Sequence, residues 1–376
     1  MSTIANSVLP GLFSPIAING VELANRFVMP AMQRGWCIDG SPLPQLADYY
    51  RRRAEGGVGL IIGESAAIDH PSATAQPVAC KLNPETAAAW ARCIDAVQEA
   101  GGKMLLQLWH EGGLRKDDDG QTLSPHGLGY PGLRRGRAAT LQELDELRQA
   151  YVRSALIAQS IGATGVELHC AHGYFLDQFL WPSTNSRNDG YGGSTIDDRA
   201  RFPAEIIAAI RGACGTDFLI SVRFSQWKEH DYDAKVAPDP LDLATMTKKF
   251  RHAGANLLHA STRRFWTPEW PGSEQTLAGW TRRLSGLPTI AVGSVGLDRD
   301  VMESFTGSGE AEARVAESVA RLEAGFEAGE FDMISIGRSL IADPDWVSKV
   351  RSGDLDRITP FQRAHIDSLE WEGLPT

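Results

Sequence analysis

GVELHCAHGY, residues Gly165 to Tyr174, joins a short apolar run to two histidines three apart and a tyrosine two residues further on. The histidines alone fit a metal pair, structural imidazoles closing a strand, or two donors for a polar substrate. Which of these holds depends on the fold, and the fold is decided by how often a run like GVELH recurs. Seven other short runs rich in Val, Ile and Leu share its character: FVMPAM from Phe27, VGLIIGES from Val58, KMLLQLW from Lys103, FLISVRFS from Phe218, LLHAS from Leu257, PTIAVGSV from Pro288 and MISIGR from Met333. Their hydrophobicity is continuous rather than alternating, which suits parallel strands buried on both faces.

The segments between these runs read as helices. NPETAAAWARCIDAVQEAGG offers Asn83 as N-cap, Pro84 at the first helical position and glycines at its end. TLQELDELRQAYVRSALIAQSIG opens on Thr140 with Glu143 three later, the spacing of a capping box. Eight strand–helix repeats without a break in composition predict an α/β fold, a (β/α)8 TIM barrel, rather than a doubly wound sheet. Two features exceed a minimal barrel. A long loop after strand 3, Glu111 to Arg137, is rich in Gly, Pro and charge and reads as an excursion closing over the mouth. Between strands 7 and 8, SGEAEARVAESVARLEAGFEAGE reads as an extended helical segment of high intrinsic propensity.

Composition narrows the function classes. The 376 residues carry 37 Lys and Arg against 47 Asp and Glu, a net charge of -10, with no dense basic block. Nucleic acid and anionic membrane are therefore not expected as partners. The opening MSTIANSVLPGLFSP lacks the basic start and apolar run of a leader, and no stretch is long enough to cross a bilayer, so a soluble, cytoplasmic protein is expected. Five scattered cysteines, Cys37, Cys80, Cys93, Cys170 and Cys214, never form C-x-x-C and read as thiols rather than a disulfide framework, zinc knuckle or iron–sulfur site. Self-association into a homo-oligomer stays open.

In a barrel of this kind, chemistry gathers where strands end. His169 ends strand 4, His172 opens its loop, and Tyr174 follows within reach of the mouth. Gln107 at the end of strand 3 and Arg223 in strand 5 belong to the same face. VGSVG after strand 7 and IGRS after strand 8 are glycine turns leading into helices, the usual phosphate seat of the fold, where Arg338 adds a fixed positive charge. A phosphate seat on one side and donors on the other call for a phosphorylated cofactor spanning the mouth.

From LFSPIAINGVELANRFVMPAM near the start to IGRSLIADPDW near the end, the chain resembles the old yellow enzyme family of FMN-dependent oxidoreductases. The most specific piece is HCAHGYFLDQFLWPSTNSRNDGYGGSTIDDRARF, with the family's strand-4 His pair, its tyrosine, then N-x-R-x-D-x-Y-G-G-S and arginines; LQLWH and IGR extend the match. The resemblance implies one FMN-binding TIM-barrel domain over residues 1–376 that acts as an ene-reductase. Hydride would pass from NADH or NADPH, by way of flavin N5, to the β carbon of an α,β-unsaturated carbonyl or similar activated alkene. It also implies that Pro30, Ala31, Met32 and Gln33 line one side of the isoalloxazine, with Ser65 near its edge. Gln107 would bond the pyrimidine ring, Arg223 would lie by the N1/C2 carbonyl, and Gly293, Ser294, Gly337 and Arg338 would hold the phosphate. His169 and His172 would donate to one substrate oxygen, and Tyr174 would protonate the α carbon.

Other readings remain. The same flavin barrel could serve as a desaturase or reduce quinones or nitro compounds, and a metal-dependent hydrolase or lyase is the more distant alternative. Asn185, Arg187, Asp189, Arg199 and Arg201 read as a hydrogen-bonded brace behind strand 4. Gln33 departs from the family, whose members carry Thr or Cys there, and its longer side chain must fold away or occupy substrate space. Phe265, Trp266 and Trp270 after strand 6 suggest an aromatic rim for a flat substrate, with Trp266 as a contact; the plain alternative is that they pack the loop down. Cys37, beside Trp36, reads as a thiol on the pocket rim or an ordinary loop thiol. No Rossmann fingerprint and no cysteine cluster is present in the sequence, so the single-barrel form of the family is expected.

Overall fold

The computed structural model describes residues 9–116, 119–300, 303 and 311–369. Its eight central strands are β1 Phe27–Met29, β2 Leu60–Ile68, β3 Lys103–Trp109, β4 Gly165–His172, β5 Leu219–Lys228, β6 Leu257–Ser261, β7 Thr289–Val292 and β8 Met333–Ser335. Each pairs in parallel with the next, and β8 pairs with β1 to close the barrel. All eight predicted runs are thus strands, and the (β/α)8 TIM barrel stands. The covering helices are α1 Pro44–Glu55, α2 Ala87–Glu99, α3 Leu141–Ser160, α4 Arg201–Cys214, α5 Pro240–Ala253, α6 Leu277–Ser285, α7 Val315–Glu327 and α8 Trp346–Ser352.

The capping box at Thr140 forms as read: the Glu143 N–H donates to the Thr140 hydroxyl, and the Thr140 N–H donates to the Glu143 carboxylate. The Asn83 start differs. Its side-chain oxygen accepts the Thr86 N–H at 3.0 Å, but regular helix begins only at Ala87, so Pro84 sits in a turn ahead of α2.

Inside the barrel, strand alternation stacks side chains in layers. At the amino end Val28, Leu60, Ile62, Leu105, Leu219, Leu257, Ile290 and Met333 form an apolar layer. An antiparallel hairpin, Ile16–Ile18 against Val21–Leu23, plugs that end with Ile18 and Leu23. Two residues further along their strands come Gln107, Glu167, Ser221 and His259, joined by hydrogen bonds across the interior. Two more bring His169, Arg223 and Ser261 to the open, carboxyl end. A register slip between Gly63 and Ser65 sets Ser65 opposite Gln107 and leaves Glu64 to the outer side, since one extra residue exchanges the two faces of a strand.

Two expectations need correction. The segment from Glu111 to Arg137 is more structured than a loop, holding a 3-10 turn and the short strands Leu123–Ser124, Leu128–Tyr130 and Leu133–Arg134, with Arg137–Ala138 at its end. Gln178 ties it down, accepting from Gly113 N–H and donating to Gly129 O, so it docks beside the post-β4 region, and none of its described residues lines the cavity described below. The helix before β8 is shorter than predicted. Residues 308–310 lie outside the described residues, and 311–314 run extended, bridging Leu297 through Ala313, so α7 starts only at Val315. Among the described residues no helix is long and apolar enough to cross a membrane.

Candidate active site

The turn after β4 gives the site its shape. His172 has a left-handed backbone at φ 63° and Gly173 follows at φ 90°, which swings the chain across the barrel mouth. Asp177 fixes this turn: one carboxylate oxygen accepts the Gly173 N–H at 2.6 Å and the other accepts Lys228 Nζ at 2.9 Å. Both side chains of that ion pair are fully buried, so β5 is clamped to the β4 turn. Tyr174 then caps the short helix Phe175–Leu180 and packs its ring edge-on against Trp109 and His169.

The mouth holds a cavity of about 370 Å³, within the size range of small-molecule and cofactor sites. Pro30, Ala31, Met32 and Gln33 line one wall, and His169, His172, Tyr174 and Trp109 line another. Ser65, Arg223, Gly293, Ser294, Gly337 and Arg338 also face it. Two predicted residues do not. Gln107 lies behind Ser65, accepting its hydroxyl at 2.5 Å and donating to Glu167 at 2.8 Å. Trp266 packs away from the cavity, edge-on to buried Phe265 and under the Arg321 guanidinium at 4.1 Å. Trp270 is likewise held by Trp280 and by Pro238 O, so the expected aromatic rim after β6 is loop packing. A ring from the end of β5 does reach the cavity: Trp227, 4.8 Å from the His172 ring.

Gln33 is exposed at the rim, its amide 3.4 Å from the Gln76 carbonyl oxygen, and Gln76 in turn donates to Glu111. Cys37 is half-buried and not part of the cavity wall. The brace behind β4 is hydrogen-bonded. Asn185 donates to Phe179 O and Tyr191 O, Arg199 to Leu180 O and Ser194 O, and Arg187 to Pro125 O and Ala139 O while pairing with Asp189. Arg201 pairs with Glu205 on the surface.

Electrostatics sort the polar groups. Burial, with the Arg223 cation, pushes His169 down to about 3 and His172 well below its ordinary value, so both imidazoles are neutral near pH 7. His169 Nδ1 accepts the Ala171 N–H at 3.3 Å, which leaves its proton on Nε2. His172 Nε2 meets the Ser261 hydroxyl at 2.8 Å. Burial, then the charges of Glu229 and Glu111, raise the Tyr174 phenol and keep it protonated. Beneath, burial raises Glu167, but His259, Arg223 and Gln107 outweigh it and hold the carboxylate at about 2.

Five polar atoms of residues lining the cavity are buried without a hydrogen-bond partner among the described residues: Arg34 Nε and Nη1, Arg223 Nε, Trp109 Nε1 and Ser335 Oγ. Such orphans cost free energy unless a ligand satisfies them. A flavin brings carbonyl and ring-nitrogen acceptors and a phosphate, and the donor set fits it. The β7 turn fits as well. Gly293, at φ 148°, would place a Cβ 2.7 Å from Thr262 O, so only glycine permits this close backbone path. Ser294 uses its hydroxyl to hold the turn through Arg263 O and Arg299 O.

Ser261, Ser335 and Trp227 were not singled out in the sequence. Counting by twos along β6 and β8, from His259 to Ser261 and from Met333 to Ser335, would have found the serines, and the same count along β5 from Arg223 through Ser225 reaches Trp227.

Similarity to known proteins agrees with this geometry. The NADH:flavin oxidoreductase / NADH oxidase family matches the chain over residues 11–312. The chain is 33% identical to an NADH oxidase of Thermoanaerobacter brockii over 93% of its own length, while spanning only 52% of that longer protein. It is 31% identical to 12-oxophytodienoate reductase 7 of Oryza sativa subsp. japonica, over 90% of this chain and 87% of that one. Among solved structures, morphinone reductase in complex with tetrahydroNAD superposes with a TM-score of 0.78 at 25% identity, covering 95% of this chain and 94% of the other. The match spans most of the barrel, and the cavity wall suits its cofactor: the chain belongs to the old yellow enzyme family, FMN-dependent oxidoreductases that use NAD(P)H.

Proposed function

We propose that this chain, as one FMN-binding barrel domain over residues 1–376, is an ene-reductase acting on α,β-unsaturated carbonyls, with Tyr174 as proton donor. The observation that carries the reading is the convergence of two neutral imidazoles and a protonated phenol, His169, His172 and Tyr174, on one cavity wall. The names of the rice relative, a 12-oxophytodienoate reductase, and of morphinone reductase support a conjugated oxo compound as substrate class.

When bound, FMN would supply the two-electron hydride chemistry between NAD(P)H and the alkene. Arg223 would set a fixed positive charge beside the ring, where reduced flavin is negative, and Pro30, Ala31 and Met32 would line one side of it. Ser65 borders its edge, held by Gln107 from behind. Backbone groups of Gly293, Ser294 and Gly337, with Arg338, would hold the phosphate. His169 donates from Nε2 to the substrate carbonyl and His172 supplies the second donor, polarising the conjugated bond without charging either ring. Tyr174 holds its proton until the α carbon becomes basic and then gives it up.

Rapid mixing of the reduced enzyme with 2-cyclohexenone tests the proton donor. In Tyr174→Phe, reduction by NADPH is expected to keep its rate while reoxidation by the enone slows by about 10²-fold or more. Equal reoxidation rates in the two proteins would remove Tyr174 from the chemistry.

A further inference from the structure

Outside the cavity, two of the five thiols meet. Cys37 begins the strand Cys37–Ile38, hydrogen-bonded to Ser41–Pro42, and Cys80 precedes Lys81–Leu82 on the edge of β2. The two segments lie against each other: Lys81 N–H donates to Gly40 O at 2.8 Å, and a Cβ on Gly35 would meet the Val78 Cβ at 3.5 Å. Cys37 Sγ lies 4.0 Å from Pro77 O, three residues ahead of Cys80, and each thiol shifts the pKa of the other. Cys37 is half-buried and reachable from solvent, whereas Cys80 is fully buried. Behind Cys80 stands Glu64, also fully buried, whose Oε1 lies 2.8 Å from the Cys80 sulfur.

We infer that Cys37 and Cys80 form a peroxide-reactive dithiol, with Cys37 the attacking thiol, Cys80 the resolving thiol and Glu64 the proton acceptor. The neighbouring Cys80 thiol lowers the Cys37 pKa, which favours its thiolate, while Cys37 and burial raise that of Cys80. The Cys37 thiolate attacks a peroxide oxygen; an S–O bond forms, the O–O bond breaks, and hydroxide leaves to become water. The Cys80 sulfur then attacks the Cys37 sulfur and passes its proton to Glu64. The S–S bond forms, the S–O bond breaks, and hydroxide leaves with a proton as the second water. Two thiols and one hydrogen peroxide thus give one disulfide and two waters.

The bond would be felt at the cavity. Glu64 Oε2 accepts the backbone N–H groups of Arg34 and Gly35, directly after the wall formed by Pro30 to Gln33. Disulfide formation removes the thiol that Glu64 Oε1 now binds and ties Cys37 to Cys80 beside that wall.

The test treats the holoprotein with hydrogen peroxide, blocks remaining thiols with a maleimide under denaturing conditions and maps the peptides by mass. The expected result is a Cys37–Cys80 linked peptide, lighter by two hydrogens than the reduced pair and lost on treatment with dithiothreitol, while Cys93, Cys170 and Cys214 stay alkylatable. In Cys80→Ser, Cys37 should instead be trapped as a sulfenic acid by dimedone; in Cys37→Ser, Cys80 should remain a thiol. Should Cys80→Ser not fold, the wild-type peptide map decides alone. Independent oxidation of Cys37 with Cys80 still alkylatable would overturn the inference. The link to the cavity is read from the KM for 2-cyclohexenone, which should shift on oxidation in wild type but not in Cys37→Ser; an identical KM before and after disulfide formation would overturn that link.

Discussion

His172 Nε2 lies 2.8 Å from the Ser261 hydroxyl, which also takes a 3.3 Å hydrogen bond from Arg223 Nη2. A guanidinium can only donate, so the hydroxyl proton is free to point at His172, leaving that ring to carry its own proton on Nδ1. Ser261 therefore couples the Arg223 guanidinium to the His172 imidazole. Removing it in Ser261→Ala leaves two buried groups without a partner. The expected result is a fall of about five-fold in kcat/KM for 2-cyclohexenone, about 1 kcal/mol, with flavin still bound. Unchanged steady-state kinetics would show that His172 is oriented without it.

The buried histidines make stability depend on pH in a definite direction. Burial lowers His169 to about 3 and puts His172 and His110 well below the ordinary imidazole value of about 6.5. An unfolded chain binds these protons below pH 6.5 while the folded one does not, so the stabilisation is complete above 6.5 and lost as pH falls toward the folded values. At pH 5 the loss is about 2 kcal/mol for His169, and His172 and His110 act in the same direction. Glu64 and Asp177, raised by burial, act with the opposite sign and soften the fall. Urea midpoints measured from pH 7.5 to 5 should decline; a flat profile would mean that the rings are charged or exposed.

A separate pH profile follows for binding. With His169 neutral down to about 3, the KM for an enone should show no inflection near 6.5. A step at that pH, read from initial rates at constant ionic strength, would place an ordinary solvated histidine in the site.

Asp177 and Lys228 are both fully buried, and their pair holds the turn that carries Tyr174. Truncating one partner leaves the other charge stranded, so Asp177→Ala should lose about 3–5 kcal/mol in chemical denaturation. Replacing both, Asp177→Leu with Lys228→Met, should recover part of that loss but not the Gly173 hydrogen bond. Equal stability of the single and double variants would show that the ion pair is not the source of the effect.

Trp227, on the cavity wall, and Trp266, under Arg321, separate the two readings of the aromatic rim. Trp227→Ala should raise the KM for a flat enone several-fold, and Trp266→Ala should leave it within about two-fold. The reverse order would restore Trp266 as the contact.

The barrel was legible because burial on both faces writes itself as unbroken apolar runs, and all eight were found. The positions of His169, His172, Tyr174 and Arg223 at the mouth followed from the strand ends alone. What escaped depended on direction rather than residue type. Gln107 sits behind Ser65 because a register slip at Glu64 turns Ser65 inward, and no pattern in VGLIIGES announces that slip. Trp266 and Trp227 are equally plausible by composition; Trp227 stands at the end of β5 on the parity of Arg223, whereas the path of the loop after β6 turns Trp266 away. The helix before β8 starts late because residues 311–314 pair with the β7 turn, a long-range contact that overrides their helical propensity.

The most direct measurement is an anaerobic titration of the purified holoprotein, following the flavin spectrum as NADPH or NADH is added and then 2-cyclohexenone. Bleaching by the nicotinamide and stoichiometric return of colour with cyclohexanone formation is the predicted result. A flavin that bleaches but keeps its reduced spectrum in the presence of the enone would contradict the proposed ene-reductase activity.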